Sequence, residues 1–394
     1  MNKKSLFFGL FTTFITGIGF TIILPVVPFM VSPFVSGGNR GLVVSALVSV
    51  YALCTFFAAP AFGVLSDRFG RKPILLVSLI GSAIGFLIFG WATALWLLFL
   101  GRMVDGLTGG NVVALLAYFS DITSKEERTK VFGWMSATVG IGTITGPAIG
   151  GLLATFGKAL PFEIAALLTL VNFAFGVFVM KESLPAEKRL KQLSVRDLNP
   201  FRQLRLIFQI RTLARLLFLG MLIWLPANML QALMSQLSLD SFSWSAVIIG
   251  LVFSIMGLQD IVTQSLILPF LLKKYQLTDR TLLRIAIVFE LIGYIAMAAG
   301  VFAKAGIPFV LAVFIYAFGD SVFGTAFNGK LSKSISDEEQ GRVQGGSQAL
   351  QSLAKIFGPL AGGFVYVSFG HAVPVLFGAL LLLVACVFVF REKV

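Results

Sequence analysis

Charged residues inside otherwise apolar segments are the residues of this sequence best placed to do chemistry. Arg102 and Asp105 stand three positions apart, so a helix places both side chains on one face, where they can interact. A carboxylate in the middle of a membrane span costs about 2.5–3.5 kcal/mol on insertion scales, so its presence there indicates a function. An aspartate beside an arginine can bind and release a proton as its partner changes. We therefore predict proton coupling by Arg102 and Asp105; the alternative is an ion pair that only fixes the helix.

Further polar residues in the second half of the chain predict a ligand-binding cavity. Lys355 lies in an apolar segment, where it could pair with Asp320 or Asp260 or could contact an anionic substrate. An internal ion pair is the commoner arrangement, so we expect Lys355 to be paired. We recognise no nucleophile–base pair and no metal-ligand cluster, so we expect neither an enzyme nor a metal site. The candidate cavity residues are Asp260, Asp320, Lys355, Asn228, Gln231 and Asn328.

The segments that must position these residues are too apolar for a soluble protein. Of the 394 residues, 57% are hydrophobic and 12% are charged, and the mean hydropathy is +0.92. A soluble domain has about 25% charged residues, and a membrane-spanning helix needs roughly 20 mostly apolar residues. We predict an all-α membrane protein with twelve transmembrane helices, at 5–30, 42–65, 74–93, 95–120, 131–155, 162–180, 212–237, 245–271, 283–302, 307–329, 343–369 and 373–390.

The sequence repeats itself at an offset of 212 positions. The loop at 123–133 corresponds to the loop at 335–345, and the pattern Gly-Pro-x-x-Gly-Gly occurs at 146–151 and again at 358–363. Duplicated membrane halves related by an axis along the membrane normal are an architecture of secondary transporters. We predict two pseudo-symmetric six-helix bundles, 1–180 and 212–394, joined by a cytosolic linker at 181–211.

The net charge of +13 indicates the orientation of the chain in the membrane. With the predicted spans, only five of the 31 lysines and arginines lie within spans or on the outer side. The positive-inside rule then places both termini and the linker in the cytosol. We expect a multi-pass protein of the inner (plasma) membrane, in contact with the lipid bilayer and without a nucleic-acid partner. Residues 198–210 have apolar residues at helical spacing, which predicts a helix on the membrane surface or an ordinary solvated linker.

A tight hairpin is predicted between the second and third spans. Gly70 supplies a flexible turn, and Pro73 can begin the next helix because an N–H group in the first turn needs no partner. Asp67 can accept hydrogen bonds from backbone N–H groups at a helix N-terminus. We interpret the loop as a conformational gate; the alternative is topology and helix capping alone. The gating residues are Gly63, Asp67, Arg68, Gly70, Arg71 and Lys72.

A glycine motif in the fifth span predicts close helix packing. Glycines four residues apart make a groove that lets another backbone approach, and Pro147 permits a bend. We predict a pivot at a helix–helix seam, repeated at 354–363; the alternative is close packing without a role in movement. The motif consists of Gly142, Gly146, Pro147, Gly150 and Gly151.

These motifs resemble those of the bacterial tetracycline/proton antiporters of the major facilitator superfamily. The resemblance is dense over 17–182 and returns at 337–363, and its clearest segments are 17–28, 66–73, 94–102, 132–136 and 146–151. It implies a twelve-helix major facilitator fold and membership of the drug:proton antiporter branch. It also implies that Asp67 locks the cytosolic side, that Arg102 takes part in proton transfer, and that the glycine motif of the fifth span is the antiporter signature.

The resemblance does not extend to the acidic residues within the membrane spans. Tetracycline pumps carry acids in helices 1 and 3, whereas this chain has Phe14 and Gly85 around the corresponding positions. Asp105 is instead an added acid in helix 4. Glu290 lies near the place of a helix-9 aspartate of those pumps, so the resemblance adds Glu290 to Arg102 and Asp105 as a proton-coupling residue.

We predict a monomeric, proton-coupled antiporter that exports amphiphilic or lipophilic drugs by alternating access, and thus a multidrug efflux protein that confers antibiotic resistance. The proton gradient would be its only energy source, with no cofactor. The alternatives are a specific carrier of a sugar, metabolite or lipid, a tetracycline-specific exporter, and a membrane sensor without transport.

Overall fold

The computed structural model describes residues 3–124, 127–191, 199–201, 213–334 and 340–391, and within these ranges the chain is helical, with no strand. A π-helical turn, Thr263–Ile267, joins the helix Ala246–Val262 to the helix Leu268–Tyr275. The helices are α1 (Lys3–Thr21), α2 (Val27–Val31), α3 (Arg40–Phe69), α4 (Arg71–Gly90), α5 (Leu95–Thr108), α6 (Asn111–Ile122), α7 (Arg128–Leu153), α8 (Leu160–Val179), α9 (Ala214–Phe242), α10 (Ala246–Val262), α11 (Leu268–Tyr275), α12 (Asp279–Phe302), α13 (Gly306–Lys333), α14 (Gln340–Phe369) and α15 (Val373–Arg391).

Two of the predicted spans are interrupted. The first is divided into α1 and α2 around Pro25, which has no N–H group to donate to a helix. The fourth is divided into α5 and α6 at Gly109 and Gly110, because glycine is unfavourable in a helix interior. Ten helices of the described chain are long and apolar enough to cross a membrane, so the all-α membrane fold is confirmed and the count of twelve spans stays a prediction. The predicted surface helix at 198–210 lies almost entirely outside the described residues.

The chain forms two compact units. The first unit comprises Met1–Phe34, Val50–Pro200 and Ala246–Ser254, and the second comprises Val35–Ser49, Phe201–Ser245 and Ile255–Val394. The start of α3 therefore packs with the second unit, and the start of α10 packs with the first. The division into 1–180, 181–211 and 212–394 remains a prediction.

In the first unit, glycines bring α1 and α7 into backbone contact. A Cβ atom on Gly142 would lie 2.6 Å from the carbonyl oxygen of Phe14, and one on Gly150 would approach the carbonyl oxygen of Ile22 even more closely. Gly17 faces the same seam from α1, where a Cβ atom would lie 2.8 Å from the carbonyl oxygen of Val139. The predicted groove is therefore filled by the backbone of α1, which allows dense packing between two largely apolar helices.

The second unit repeats this arrangement with α9 and α14. A Cβ atom on Gly358 would lie 2.7 Å from the carbonyl oxygen of Leu225 in α9. In the same unit α12 and α13 are also seated closely, because Gly293 lies against Tyr316 and Gly319 lies against Glu290. The internal repeat of the sequence is thus a repeat of helix contacts.

Two serine hydroxyls make equivalent hydrogen bonds in the two units. In the first unit the Oγ of Ser254 donates to the carbonyl oxygen of Ile144 at 2.6 Å. In the second unit the Oγ of Ser49 donates to the carbonyl oxygen of Ile356 at 2.8 Å. The two acceptors, Ile144 and Ile356, are related by the same offset that relates the sequence repeats. Each bond fastens α10 or α3 to a glycine-motif helix.

Candidate functional site

The Arg102–Asp105 pair predicted in helix 4 is formed on α5 and is buried. Arg102 is 4% exposed and Asp105 is 6% exposed. The Nη1 of Arg102 donates to the Oδ2 of Asp105 at 3.2 Å. The guanidinium group also lies 4.0 Å from the centre of the Tyr51 ring, within the range of a cation–π interaction. Arg102 therefore has two partners, one of which is a carboxylate that can change its charge.

Glycines on two helices, α4 and α5, make room for this pair. A Cβ atom on Gly85 of α4 would lie 2.8 Å from the Cβ of Asp105, and one on Gly101 would lie 2.8 Å from the backbone nitrogen of Phe89. On the other side of α5, a Cβ atom on Gly106 would lie 2.8 Å from the carbonyl oxygen of Tyr51. The sequence reading singled out the glycine at 85 only as a missing acid. The structure shows that the side chain of Asp105 lies directly against it.

Among the described acids of the second unit, Glu290 is the most enclosed. It is 1% exposed, and neither carboxylate oxygen has a hydrogen-bond partner among the described residues. The seam between α12 and α13 closes over it, because a Cβ atom on Gly319 would lie 2.8 Å from the Cγ of Glu290. An unpartnered buried carboxylate is costly, so this position indicates a group that is neutral in this arrangement or that awaits a partner.

Asp260 is held by its own neighbours. Its Oδ1 accepts a hydrogen bond from the Oγ of Ser321 at 2.6 Å and another from the Nε2 of Gln264 at 2.7 Å. Gln264 belongs to the π-helical turn that follows α10, a local widening that is frequent at functional sites. Neither Ser321 nor Gln264 was singled out from the sequence as a partner of Asp260.

The expected ion pair of Lys355 is not formed. Within the described part of the chain, Lys355 has no carboxylate within 4.0 Å, and Asp320 has no cation within that distance. Two packing facts explain this. The carboxylate of Asp260 is already bonded, and α14 packs on α9 through Gly358 rather than on α13. Both Lys355 and Asp320 have exposed side chains.

The remaining candidate cavity residues differ in their partners. Asn228 turns back on its own helix, and its Nδ2 donates to the carbonyl oxygen of Trp224 at 2.7 Å. Gln231 in α9 and Asn328 in α13 are both exposed. These two amides are therefore accessible polar groups of the second unit.

The hairpin between α3 and α4 is organised by an acid that the sequence reading left out. The Oε1 of Glu182 accepts from the backbone N–H of Arg71 at 2.8 Å, and its Oε2 accepts from that of Lys72 at 3.2 Å. Asp67 does not cap this helix as expected and instead forms an ion pair with the guanidinium of Arg71 at 2.5 Å. Glu182 follows the sixth predicted span directly, but nothing local in its sequence indicates contact with Gly70–Lys72.

Other gating residues support the same loop. Gly70 has φ = 102°, a conformation that favours glycine, and a Cβ atom there would clash with the carboxylate of Glu182. The Nε of Arg71 donates to the Oδ2 of Asp121 at 3.1 Å, and the Nζ of Lys72 donates to the carbonyl oxygen of Val177 at 2.8 Å. Gly63, in contrast, lies within α3 near Val113. The loop thus ties four segments of the first unit together.

The glycine motif of α7 has two occupied faces. Gly142, Gly146 and Gly150 lie against α1, where a Cβ atom on Gly146 would lie 3.1 Å from the carbonyl oxygen of Ile18. On a second face Gly151 packs against the backbone at Ala246, where α10 begins. Pro147 stands within α7 without ending the helix.

The described residues include no cluster of three or more His, Cys, Asp or Glu side chains that could hold a metal ion.

Comparison with known proteins identifies the family. The model of the Major Facilitator Superfamily matches residues 9–354 and 216–394. The chain belongs to the major facilitator superfamily. It is 32% identical to the tetracycline resistance protein, class C, of Escherichia coli over 366 residues, which cover 93% of this chain and 90% of that protein. It is 29% identical to multidrug resistance protein 2 of Bacillus subtilis (strain 168) over 400 residues, which cover 100% of this chain and 96% of that protein.

Solved structures of low sequence identity confirm the fold. The nucleoside transporter NupG superimposes with a TM-score of 0.80 at 17% identity, and the match covers 100% of both chains. The human organic anion transporter MFSD10 superimposes with a TM-score of 0.70 at 20% identity, covering 98% of this chain and 99% of that one. The expected major facilitator fold is therefore confirmed, and the chain is a multi-pass membrane transporter of that superfamily.

Proposed function

We propose that the chain exports amphiphilic and lipophilic drugs in exchange for protons, and that it accepts several unrelated compounds. The similarity to tetracycline and multidrug resistance proteins supports this substrate class. We further propose that it works as a monomer in the inner membrane with both termini in the cytosol, by alternating access. It would draw on the proton gradient alone, without a cofactor, and would carry out no covalent chemistry on its substrate.

The buried Arg102–Asp105 pair is the observation that carries the proposal of proton coupling. When Asp105 is ionised, its carboxylate neutralises Arg102 at 3.2 Å. When Asp105 takes up a proton, Arg102 keeps the face of Tyr51 but loses its counter-ion. Proton uptake on the outer side therefore changes the electrostatics of the first unit, which we link to release of the substrate. Loss of the proton to the cytosol restores the pair and resets the site.

Glu290 is the second acid in this mechanism. It has no partner in the described structure and lies at a glycine-lined seam of the second unit, so its protonation changes a contact between α12 and α13. We assign Asp67, Arg71 and Lys72 to gating, because Asp67 and Arg71 form an ion pair in this loop and Lys72 donates to the carbonyl oxygen of Val177. The glycine motifs of α7 and α14 serve as seams along which helices move.

A tetracycline-specific exporter is the second candidate, and the similarity to the class C protein favours it. Against it, the position where tetracycline pumps carry an acid in helix 3 is Gly85, which Asp105 packs against so closely that no side chain fits there. A specific carrier of a sugar, metabolite or lipid is a third alternative, and the same experiment separates it from the first two.

The test is dye efflux from proteoliposomes under an imposed pH gradient. We expect the gradient to drive export of several unrelated cationic dyes by the unaltered protein and by Glu187→Gln, which changes an exposed acid of the linker. Asp105→Asn should abolish gradient-driven export while the variant still folds. Unchanged export in Asp105→Asn would remove Asp105 from the mechanism. Movement of tetracycline alone, or of none of the compounds, would favour the second or third candidate.

A further inference from the structure

The chain contains a single histidine, and its ring lies against two polar side chains at one end of the second unit. His371 stands in the short segment between α14 and α15. Its ring stacks on that of Tyr366, with the ring centroids 4.8 Å apart and an angle of 13° between the planes. Its Nε2 lies 3.9 Å from the Oδ2 of Asp240, which is in the last turn of α9. The three residues form a cluster that the proposed proton coupling does not use.

The carboxylate of Asp240 joins this cluster to the interior of the unit. Its Oδ2 accepts hydrogen bonds from the Oη of Tyr366 at 2.6 Å and from the Nε2 of Gln236 at 2.8 Å. Gln236 and Tyr366 are buried, whereas the His371 side chain is 47% exposed. Among the residues that the structure describes, His371 is the one group within 4.0 Å of this carboxylate that can carry a positive charge. A proton from solution can therefore reach His371 and change the charge next to Asp240.

Tyr366 connects the cluster to α3. A Cβ atom on Gly41 would clash with the ring of Tyr366, so the first turn of α3 rests directly on this ring. The contact continues along α14, because Gly363 lies against Ser45 and the hydroxyl of Ser49 bonds to the same helix further along. The residues that begin α3 are part of the second unit, and α3 continues into the first. Whatever fixes Tyr366 therefore also fixes the start of α3.

Protonation of His371 strengthens both of its contacts. Histidine is the side chain that ordinarily changes its charge between about pH 5 and 8. A neutral imidazole 3.9 Å from the Oδ2 of Asp240 makes no hydrogen bond, whereas an imidazolium at that distance forms an ion pair. A cation is also attracted to the face of an aromatic ring, and the stacked ring of Tyr366 supplies that face. Both changes have the same sign, so acid fastens His371 to the two residues.

The other groups around His371 have partners of their own. An apolar cavity beside the histidine ring is lined by α9, α12, α14 and α15. Tyr294 of α12 is a further titratable residue of this lining, and its hydroxyl donates to a backbone carbonyl oxygen of α9 at 2.7 Å. At the start of α3, the Nε of Arg40 donates to a backbone carbonyl oxygen that precedes the helix. Asp240 is thus the charged partner that His371 faces. The remaining lining residues are apolar: Met229, Leu230, Leu233, Leu237, Pro374 and Val375.

We propose that His371, Asp240 and Tyr366 form a latch that tightens in acid and holds the start of α3 on α14. The protonated histidine fixes the carboxylate and the ring, and the ring is the seat of the first turn of α3. When the histidine is neutral, Asp240 keeps only its two uncharged donors, and the start of α3 is freer to move. The latch goes beyond drug export. It rests on the proposed function and orientation only in placing His371 on the side from which protons enter, where it acts as a brake on α3 when the medium is most acidic.

Hydrogen–deuterium exchange at the start of α3 tests the latch. Peptides that cover residues 40–49 are followed by mass spectrometry in the purified protein in detergent at about pH 5.5 and about pH 8, with labelling times corrected for the chemical exchange rate. We expect roughly three- to fivefold stronger protection of these amides at the acidic pH, the gain from one partly exposed ion pair and a cation–π contact. Because the chain has one histidine, isotopic labelling of histidine gives a single imidazole signal in a protein purified without a histidine tag, and the gain in protection should follow the titration of that signal.

The variants should show which charges the latch needs. His371→Gln should lose the pH difference and show the lower protection at both pH values. Asp240→Asn should lose the difference too, because the charged partner is gone. His371→Arg carries a positive charge at either pH, so its protection should exceed that of His371→Gln at both. Lys304→Gln removes an exposed cation from the loop between α12 and α13 and is the matched control, which should respond to pH as the unaltered protein does.

Several results would overturn the proposal. A pH difference that is absent from the unaltered protein, or that has the same size in His371→Gln, would show that His371 does not act on α3. A difference that survives in Asp240→Asn, or equal protection in the arginine and glutamine variants, would reject the ion pair as its cause. The His371 variants change an exposed loop residue and decide the outcome if Asp240→Asn does not fold. Exchange in detergent requires no transport, so a failure of drug efflux would count against the proposed function alone.

Discussion

The contribution of the Arg102–Asp105 pair to stability can be measured separately from its role in transport. The perturbation is a double-mutant cycle of Arg102→Met, Asp105→Asn and the two changes together. Both residues are at least nine-tenths buried and are joined by one bond of 3.2 Å. Removing one partner of a buried ion pair costs about 3–5 kcal/mol, because the other charge is left uncompensated.

The two single variants should lose different amounts of unfolding free energy. Arg102→Met leaves the Asp105 carboxylate without a partner and also removes the cation that lies 4.0 Å from the Tyr51 ring, so the full cost of about 3–5 kcal/mol is expected. Asp105→Asn leaves Arg102 without its counter-ion but keeps an acceptor oxygen and the Tyr51 contact, so its cost should lie at the lower end of this range, about 3 kcal/mol. The double variant should be more stable than the sum of the two losses predicts, by about 2 kcal/mol.

The assay is equilibrium unfolding by SDS titration in mixed micelles, followed by tryptophan fluorescence, with efflux measured on the same preparations. The control cycle is the exposed pair Lys333–Asp279, whose Nζ and Oδ2 atoms are 2.8 Å apart while the lysine side chain is 71% exposed. Surface pairs contribute about 0–1 kcal/mol, so this cycle should show little coupling. If the losses of the two single variants at the buried pair add up to that of the double variant within about 0.5 kcal/mol, Arg102 and Asp105 do not stabilise each other, and the ion pair has no role in stability. A double variant that regains stability but not efflux would show that the pair acts in transport beyond its contribution to folding.

Two further predictions concern packing in the first unit. Glu182→Gln should destabilise the protein by about 1–2 kcal/mol, because a charged helix cap that binds two backbone N–H groups is weakened; the exposed Glu187→Gln is its control, and equal unfolding midpoints would contradict the capping role. Gly150→Ala should cost about 1–3 kcal/mol, since the new Cβ atom would overlap the carbonyl oxygen of Ile22 in α1. Gly157→Ala, where no atom lies within 4 Å, should have no such effect, and identical thermal unfolding of the two alanine variants would refute a tight α1–α7 seam.

Features that depend on spacing along the chain could be predicted from the sequence. Apolar length identified the membrane segments, because burying a helix in lipid requires a fixed number of apolar residues. The interaction of Arg102 with Asp105 followed from their separation of three, since neighbouring turns of one helix place such side chains together. The glycine groove of α7 was likewise a local pattern, and the repeat of the glycine motif indicated that a second helix would pack in the same way.

Contacts between distant segments were decided only by the tertiary structure. Glu182 caps a helix that begins 111 residues earlier, and no local pattern specifies that contact. The sequence suggested that Lys355 would pair with the nearest acids, but the glycines of α14 place that helix on α9, and the carboxylate of Asp260 is used by Ser321. Composition and periodicity fix which residues enter the membrane. Which of them meet depends on how closely each pair of helices can pack, and that is set by side-chain volume at seams far apart in the chain.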